Sequence, residues 1–375
     1  MAATAYINRE VLRWAIQRAA NHIDTEAEQQ WLETEKYPTI RQAQAIAKRL
    51  SIPFGFLFLS ESPVEELPIP DLRTRNDIAL AVPSLNLRDQ LEWVTSKQRW
   101  FADLRRREGG EILSFVASAN FGQSTSEVAD SIEGELDLTG IRAQATSWTD
   151  YMRLLVRRAE TKEILVMRSG VVAMNNRRHL DTNEFQGFAI ADQMAPLIFI
   201  NSNDYITASI FTYAHELAHI WLGESGITLS EEEGDTDGLD VEQFCNQVAA
   251  QLLVPEEQFD DAWRPQQPVG AQIDRLVRRF RVSSIVILRR ALDTERISQN
   301  EFVAQLEIER QNMVPRSKGD GGSGINNILA RNGQLLVREA IMGALEGRVG
   351  FAEAADAIGV KVQTVKNIAD TLGLR

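Results

Sequence analysis

The stretch from Phe211 to Gly223 carries metal-binding residue types at a spacing that suits a helix. Each residue of an α-helix advances about 100°, so His215 and His219 lie about 40° apart on one face, with Glu216 beside them. Zinc accepts neutral imidazole nitrogens, and a catalytic zinc keeps a position open for water, whose proton a neighbouring carboxylate can take. The H-E-x-x-H spacing therefore predicts a metal site with a base attached, although the same spacing also occurs by chance on amphipathic helices.

A second helical stretch follows an acidic loop and ends at a proline. It begins at Val241 and stops before Pro255, and its Glu242 and Asn246 are four residues apart, on one helix face. Glu242 can supply a third metal ligand, and Asn246 can orient a ligand histidine through a hydrogen bond. The alternative is a solvated glutamate and a polar asparagine on an ordinary helix. Two consecutive alanines further along argue against that alternative, because they allow another helix to pack closely.

The runs FTYAHELAHIWLG and VEQFCNQVAAQLLVP resemble the ImmA/IrrE family of zinc metallopeptidases, and the resemblance extends over most of the chain. It implies Zn²⁺ held by His215, His219 and Glu242, with Glu216 as the catalytic base. It also implies a zincin-like protease that cuts a regulatory protein, such as a repressor or an antitoxin-like partner. The setting would be stress, phage-related or toxin–antitoxin regulation.

Three functional classes stay open at this stage. The first is an active zinc endopeptidase. The second is a non-proteolytic antitoxin or inhibitor that clasps the product of a neighbouring gene, and the third is a DNA-binding transcriptional regulator with a vestigial protease. The presence of Glu216 favours the enzyme, because a scaffold that only binds has no need of a base.

Composition narrows the class of protein further. The chain has 375 residues, 44% of them hydrophobic, so it can bury a sizeable core divided among two to four domains. Its net charge of −13 disfavours generic binding to nucleic acid or anionic membranes. The single cysteine, Cys245, excludes an internal disulfide; it is interpreted as a small buried hydrophobic residue rather than a reactive thiol. Without an apolar run of the ~18 residues that span a bilayer, we expect a soluble, cytoplasmic protein.

The predicted fold class is α+β, a zincin-like core flanked by helical domains. Strands are expected at 163–167, 171–174 and 196–200, and a long helix from Leu85 to Arg107. The strand Leu197 to Ile200 could pair with an extended substrate as an added strand, or could be buried without that role. Four domains are predicted: a degenerate helix-turn-helix-like unit at 1–67, the metallopeptidase at 68–255, a helical extension at 256–314 and a C-terminal helix-turn-helix-like unit at 325–375.

The two terminal units are predicted to bind DNA weakly, if at all. The first resembles an Xre-type helix-turn-helix, but only ten residues separate Ala20, where its first helix ends, from Trp31. Those ten residues include three acids and no Lys or Arg, so they would repel phosphate groups. The last unit fits the helix-turn-helix spacing better, but it carries six basic residues against five acidic ones from Ile325 to Arg375. Packing or partner contact is the alternative for both.

No residue stands out as the donor that would stabilise the oxyanion of a tetrahedral intermediate. His179, Tyr205 and Tyr151 are candidates between which the sequence does not choose. Tyr213 lies about 200° from His215 on an ideal helix, so it should face the core. The loop from Ser230 to Asp240 holds six acids and two glycines, which predicts a solvated lid that gates the activity rather than a calcium loop.

Overall fold

The computed structural model describes residues 3–19, 25–34, 36–50, 52–63, 68–69, 83–228, 241–312 and 324–374. The chain divides into two compact units, one of residues 1–68 and 74–93, the other of residues 69–73 and 94–375. Both are largely helical, and the second also contains a small sheet, so the α+β class is correct. The predicted acidic loop lies outside the described residues. The finer division into four domains stays a prediction.

The first unit is built from three helices and a 3₁₀ turn: α1 (Arg9–Ala19), α2 (Glu26–Glu33), α3 (Ile40–Arg49) and the turn Phe54–Phe58. Thr39 begins α3 with a capping box, in which its hydroxyl accepts from the Gln42 N–H and the Gln42 side chain accepts from the Thr39 N–H. The apolar faces of α1 and α3 meet in a core that includes Leu12, Leu50 and Leu57, all fully buried. The first helix expected in this unit is present as α1.

Four helices precede the sheet of the second unit: α4 (Leu85–Arg107), α5 (Thr125–Leu136), α6 (Leu138–Gln144) and α7 (Trp148–Thr161). The bounds of α4 are those predicted, and the boundary between the units falls inside it, after Trp93. The sequence analysis missed α5 and α6. Ser124 and Glu127 form a capping box at the start of α5, and Asp137 caps α6.

The sheet has four strands in the order β1–β3–β2–β4: β1 (Leu165–Ser169), β2 (Gly187–Ile190), β3 (Leu197–Asn201) and β4 (Gly226–Thr228). β3 is parallel to β1 and antiparallel to β2, and β2 is antiparallel to β4. Because β3 is paired on both sides and buried along its length, the suggestion that Leu197–Ile200 adds a substrate strand is wrong, and the buried-strand alternative is correct.

The strand predicted at 171–174 is also wrong. Val171 makes one isolated bridge with His179, and the chain then turns, with Ala173 at a φ of 48°. Two of the four strands, β2 and β4, were not predicted.

Two helices, α8 (Ile206–Leu222) and α9 (Val241–Leu253), carry the residues singled out by the sequence. α8 is buried on all sides in the largest core of the molecule, which explains its continuous apolar character. Tyr213 is fully buried and its hydroxyl donates to the Leu155 carbonyl of α7 at 3.1 Å, so the prediction that it faces the core is confirmed.

The carboxyl end of α8 is capped from a distant part of the chain. The N–H groups of Ala117 and Ala119 donate to the carbonyls of Ile220 and Trp221 at 3.0 and 2.9 Å. The indole of Trp221 donates to the Ser131 hydroxyl on α5 at 3.1 Å. The final carbonyls of a helix lack partners within it, so this capping fixes the end of α8.

Helices complete the second unit: α10 (Glu256–Ala262), α11 (Val269–Phe280), α12 (Ser284–Asp293), α13 (Gln299–Asn312), α14 (Gly324–Asn332), α15 (Gln334–Leu345), α16 (Phe351–Ile358) and α17 (Val362–Leu372). α16 and α17 are joined by a turn through Gly359 at a φ of 68°, and the helix-turn-helix-like unit stays a prediction. DNA contact by these helices stays a prediction. No helix among the described residues is both long and apolar enough to cross a bilayer.

Candidate metal centre

The structure brings His215, His219 and Glu242 together between α8 and α9, with their ligand atoms within 4.8 Å of one another. The Nε2 atoms of the two histidines are 2.9 Å apart. The Glu242 carboxylate reaches both rings, with Oε2 at 3.1 Å from His215 Nε2 and Oε1 at 3.3 Å from His219 Nε2. The histidines are sealed from solvent, at 1% and 0% side-chain exposure, whereas Glu242 is 28% exposed. The site therefore opens on the Glu242 side.

The two Nε2 atoms and the Glu242 carboxylate lie close enough together to share one metal ion. Zinc binds imidazole nitrogen and carboxylate oxygen at about 2.0–2.2 Å, so two ligands of a tetrahedral site lie about 3.3 Å apart. The two Nε2 atoms are 2.9 Å apart, and each has one of the two Glu242 oxygens nearby, Oε2 at 3.1 Å from His215 and Oε1 at 3.3 Å from His219. A carboxylate and two imidazoles are also a donor set that zinc accepts. The residues present thus suit a metal ion such as zinc.

Asn246 fixes the orientation of one imidazole. One turn along α9 from Glu242, its Oδ1 lies 2.7 Å from His215 Nδ1. Because an amide oxygen only accepts hydrogen bonds, Nδ1 is the donor. A proton at Nδ1 leaves the lone pair of Nε2 directed at the other two ligand residues, as a metal-binding histidine needs.

Glu216 lies against strand β2 at Gly187, a position where a larger residue would clash with the Glu216 side chain. Its side chain is fully buried. A Cβ atom at Gly187 of β2 would lie 2.9 Å from Glu216 Oε1, 2.5 Å from Thr212 Cγ2 and 2.8 Å from the Phe199 carbonyl oxygen. The missing side chain at Gly187 therefore lets β2 approach the carboxylate of the H-E-x-x-H helix closely.

The strand that carries Gly187 is held by a buried asparagine at the end of β3. The backbone N–H of Asn201 donates to the Gln186 carbonyl at 2.8 Å, and its side-chain amide donates to the Phe185 carbonyl at 3.1 Å. Asn201 is fully buried. Sequence reasoning missed both Gly187 and Asn201. The Gly-Phe-Ala-Ile run with its leading glycine was the available signal, but a close approach between distant segments cannot be read from one of them.

Comparison with known proteins supports the same assignment. Residues 159–292, which include α8 and α9, match the model of the IrrE N-terminal-like domain, a family of M78 peptidases. This match covers about a third of the chain and supports an ImmA/IrrE-type domain at residues 159–292. The radiation response metalloprotease IrrE of Deinococcus deserti is 35% identical over 130 residues, which are 34% of this chain and 44% of that protein. The chain thus covers less than half of that relative, and the similarity found is narrower than the sequence analysis expected.

The similarity of residues 159–292 to this domain supports a metallopeptidase domain whose metal is typically zinc. The electrostatics of the three ligand residues agree with a strongly coupled site. Burial opposes protonation of His215, but the hydrogen bond and charge of Glu242 outweigh it and raise the His215 pKa to about 9. Burial lowers the pKa of His219. Burial also opposes ionisation of Glu242, yet its hydrogen bonds with the two histidines keep its pKa well below the usual range.

The remaining candidates from the sequence do not join this ImmA/IrrE-type centre. Cys245 is fully buried in the core, as a small hydrophobic residue would be. Tyr151 is fully buried on α7, and burial raises its pKa to about 12. Tyr205 precedes α8 and is 40% exposed; it lies ten residues before His215, which is about 15 Å along a helix axis. His179 is exposed and bridges to Val171. None of the three oxyanion candidates gains support.

Proposed function

We propose that this chain is a zinc-dependent endopeptidase of the zincin-like type that cleaves a regulatory protein. The observation that carries the proposal is the convergence of His215, His219 and Glu242, with the buried carboxylate of Glu216 on the same helix as the two histidines. The Deinococcus relative is a metalloprotease by name, which supports the reaction type. The proposal that the substrate is a regulatory protein rests on the resemblance to the ImmA/IrrE family.

In this proposal His215, His219 and Glu242 hold the metal, and Asn246 keeps His215 in the tautomer that exposes Nε2. Zinc, when bound, supplies Lewis acidity toward a water molecule and the scissile carbonyl group. The Glu216 carboxylate accepts a proton from the attacking water as the water oxygen bonds to the carbonyl carbon. Glu216 then delivers that proton to the amide nitrogen as the C–N bond breaks, so one peptide and one water give an acid and an amine.

The surroundings of Glu216 favour the enzyme over a non-proteolytic binding protein. A protein that only clasped a partner through its metal would need the three ligands and not the fourth residue. Here a fully buried carboxylate is retained against a strand that must carry glycine to accommodate it. Burial of a carboxylate costs free energy, so its retention beside a metal site is typical of a catalytic base.

Co-expression tests the proposed reaction. The wild-type chain and Glu216→Gln are each produced with the products of neighbouring genes, and those proteins are followed by mass spectrometry. We expect a partner that is cut at defined bonds by the wild type and remains intact with Glu216→Gln. Stable co-purification without cleavage in both cases would support the antitoxin-like binding protein instead.

Metal analysis tests the ligand set without needing a substrate. We expect about one zinc per wild-type chain, loss of zinc in His215→Ala and Glu242→Ala, and retention in Glu216→Gln. Gln243→Ala, an exposed neighbour on α9, is the matched control. Full zinc content in Glu242→Ala would remove Glu242 from the ligand set.

A further inference from the structure

A second concave site lies away from the metal, in the same unit, where α7, β1 and α15 meet. The cavity has a volume of about 340 Å³. Seven residues line it: Arg153, Val156, Arg157, Glu160, Arg168, Gln334 and Arg338. Four guanidinium groups thus face one carboxylate, on a chain whose net charge is −13. Such a local concentration of positive charge is opposite to the character of the whole protein.

The four arginines differ in their side-chain contacts. Arg153 pairs with Asp150 at 2.6 Å. Within the described ranges, the guanidinium groups of Arg157, Arg168 and Arg338 make no hydrogen bond or ion pair, although Arg168 feels the charge of Glu160. Arg168 is half-buried on β1, and burial lowers its pKa despite the charge of Glu160. Guanidinium groups that converge without partners repel each other and lose hydration, so an anion between them would be favoured.

The fold holds the two sides of the cavity together. The Glu160 carboxylate of α7 accepts the Leu335 N–H at the start of α15, at 3.2 Å. Gly333, at a φ of 77°, precedes α15, and a Cβ there would lie 3.1 Å from the Val166 carbonyl oxygen of β1. The close approach at Gly333 and the bond to Glu160 fix the amino end of α15, and with it Arg338, one turn beyond Gln334.

We propose that this cavity binds the polyphosphate group of a small molecule, such as a nucleoside triphosphate. Arginine is suited to phosphate because its planar fork donates two parallel hydrogen bonds to two oxygens. Four arginines against one glutamate leave a surplus of positive charge that matches a di- or triphosphate better than a single carboxylate. The concave shape favours a compact ligand over an extended nucleic acid strand. This binding does not depend on the peptidase reaction.

The test uses calorimetric titration of the full chain at low salt with two probes, sodium tripolyphosphate and ATP. Arg157→Ala/Arg338→Ala removes two exposed arginines of the cavity. Arg99→Ala/Arg278→Ala removes two exposed arginines on α4 and α11, so the two variants carry the same net charge. Both retain the proposed metal ligands, so chelation of zinc by the phosphates contributes equally to both titrations.

We expect the cavity variant to bind tripolyphosphate about 100-fold more weakly than the wild type, about tenfold for each arginine removed. The control variant should bind as the wild type does. If ATP binds more tightly than tripolyphosphate, the ligand is a nucleotide. If the two bind equally, the ligand is an inorganic polyphosphate. The proposal is overturned if tripolyphosphate does not bind or if the two variants bind it with equal affinity. It is also overturned if a short DNA duplex binds the chain and tripolyphosphate does not displace it.

Discussion

Replacing Gly187 by alanine would test the close approach between β2 and the metal helix. The new methyl group would lie 2.5 Å from Thr212 Cγ2, 2.8 Å from the Phe199 oxygen and 2.9 Å from Glu216 Oε1. Carbon atoms in contact prefer separations of about 3.5–4.0 Å, so strand and helix must part by about 1 Å. β2 is paired on both sides, by β3 and β4, and therefore the displacement falls largely on α8 and the Glu216 side chain.

Two effects of different size follow from that displacement. Overpacking a buried site lowers the free energy of unfolding by about 1–3 kcal/mol. A catalytic group misplaced by about 1 Å can lose about 100-fold in rate. The proposed zinc ligands His215 and His219 contact Glu242 of α9, so we expect Gly187→Ala to keep its zinc while cleavage of the partner found by co-expression falls about 100-fold.

The assays are metal content, thermal unfolding and partner cleavage. Gly187→Ala/Thr212→Ser removes the shortest contact, 2.5 Å, and should regain part of the lost stability and rate. Gly134→Ala in α5 is the control, because a Cβ there meets no atom within 4 Å. Wild-type stability and turnover in Gly187→Ala would refute the proposed tight contact. Loss of zinc together with activity would show that the whole centre, and not Glu216 alone, depends on Gly187.

Two further predictions concern Asn246 and Glu160. Removing a partner that orients a metal-bound histidine weakens metal binding about 10- to 100-fold. We therefore expect chelator competition to show that loss of zinc affinity in Asn246→Ala but not in exposed Gln247→Ala. Equal affinities in the two variants would contradict the role of Asn246. Burial raises the pKa of Glu160 to about 7 from 4.5, so the folded state retains a proton that the unfolded state loses and stability falls between those pH values. The stability of Glu160→Gln relative to the wild type should therefore rise by up to about 3 kcal/mol between pH 4 and 8. Chemical unfolding at each pH measures this difference. A difference that does not change with pH, as expected for exposed Glu257→Gln, would refute the prediction.

The helices that carry the metal ligands could be predicted because the signals are local. The positions of His215 and His219 on one helix face, and the helix that stops before Pro255, need only the period of the α-helix. The long α4 is amphipathic and was located correctly. α5 could have been found in the same way, since its capping box of Ser124 and Glu127 is visible in the sequence.

The strands were harder because they are short and buried. β2 has four residues, starts with glycine and is buried on every residue, so it shows no alternation of polar and apolar side chains. The apolar residues from Val171 to Met174 suggested a strand, but strand formation depends on a neighbour to pair with, and this segment turns.

Apart from the approach of α9 to the histidines of α8, the contacts between distant segments discussed above could not be predicted. The approach of Gly187 to Glu216 depends on how strands pair, and the arginine-lined cavity joins α7 with a helix more than 170 residues further along. Periodicity places a residue on a face of its own element. It does not say which other element covers that face.

The capping of α8 also determines where this domain can be divided. A fragment that began at residue 159, where the family similarity begins, would lack the N–H groups of Ala117 and Ala119 that close the helix and the Ser131 hydroxyl that holds Trp221. It would also lack Leu155, the acceptor for Tyr213. We therefore expect a fragment that begins at residue 159 to be less stable than one that begins upstream of Ala117.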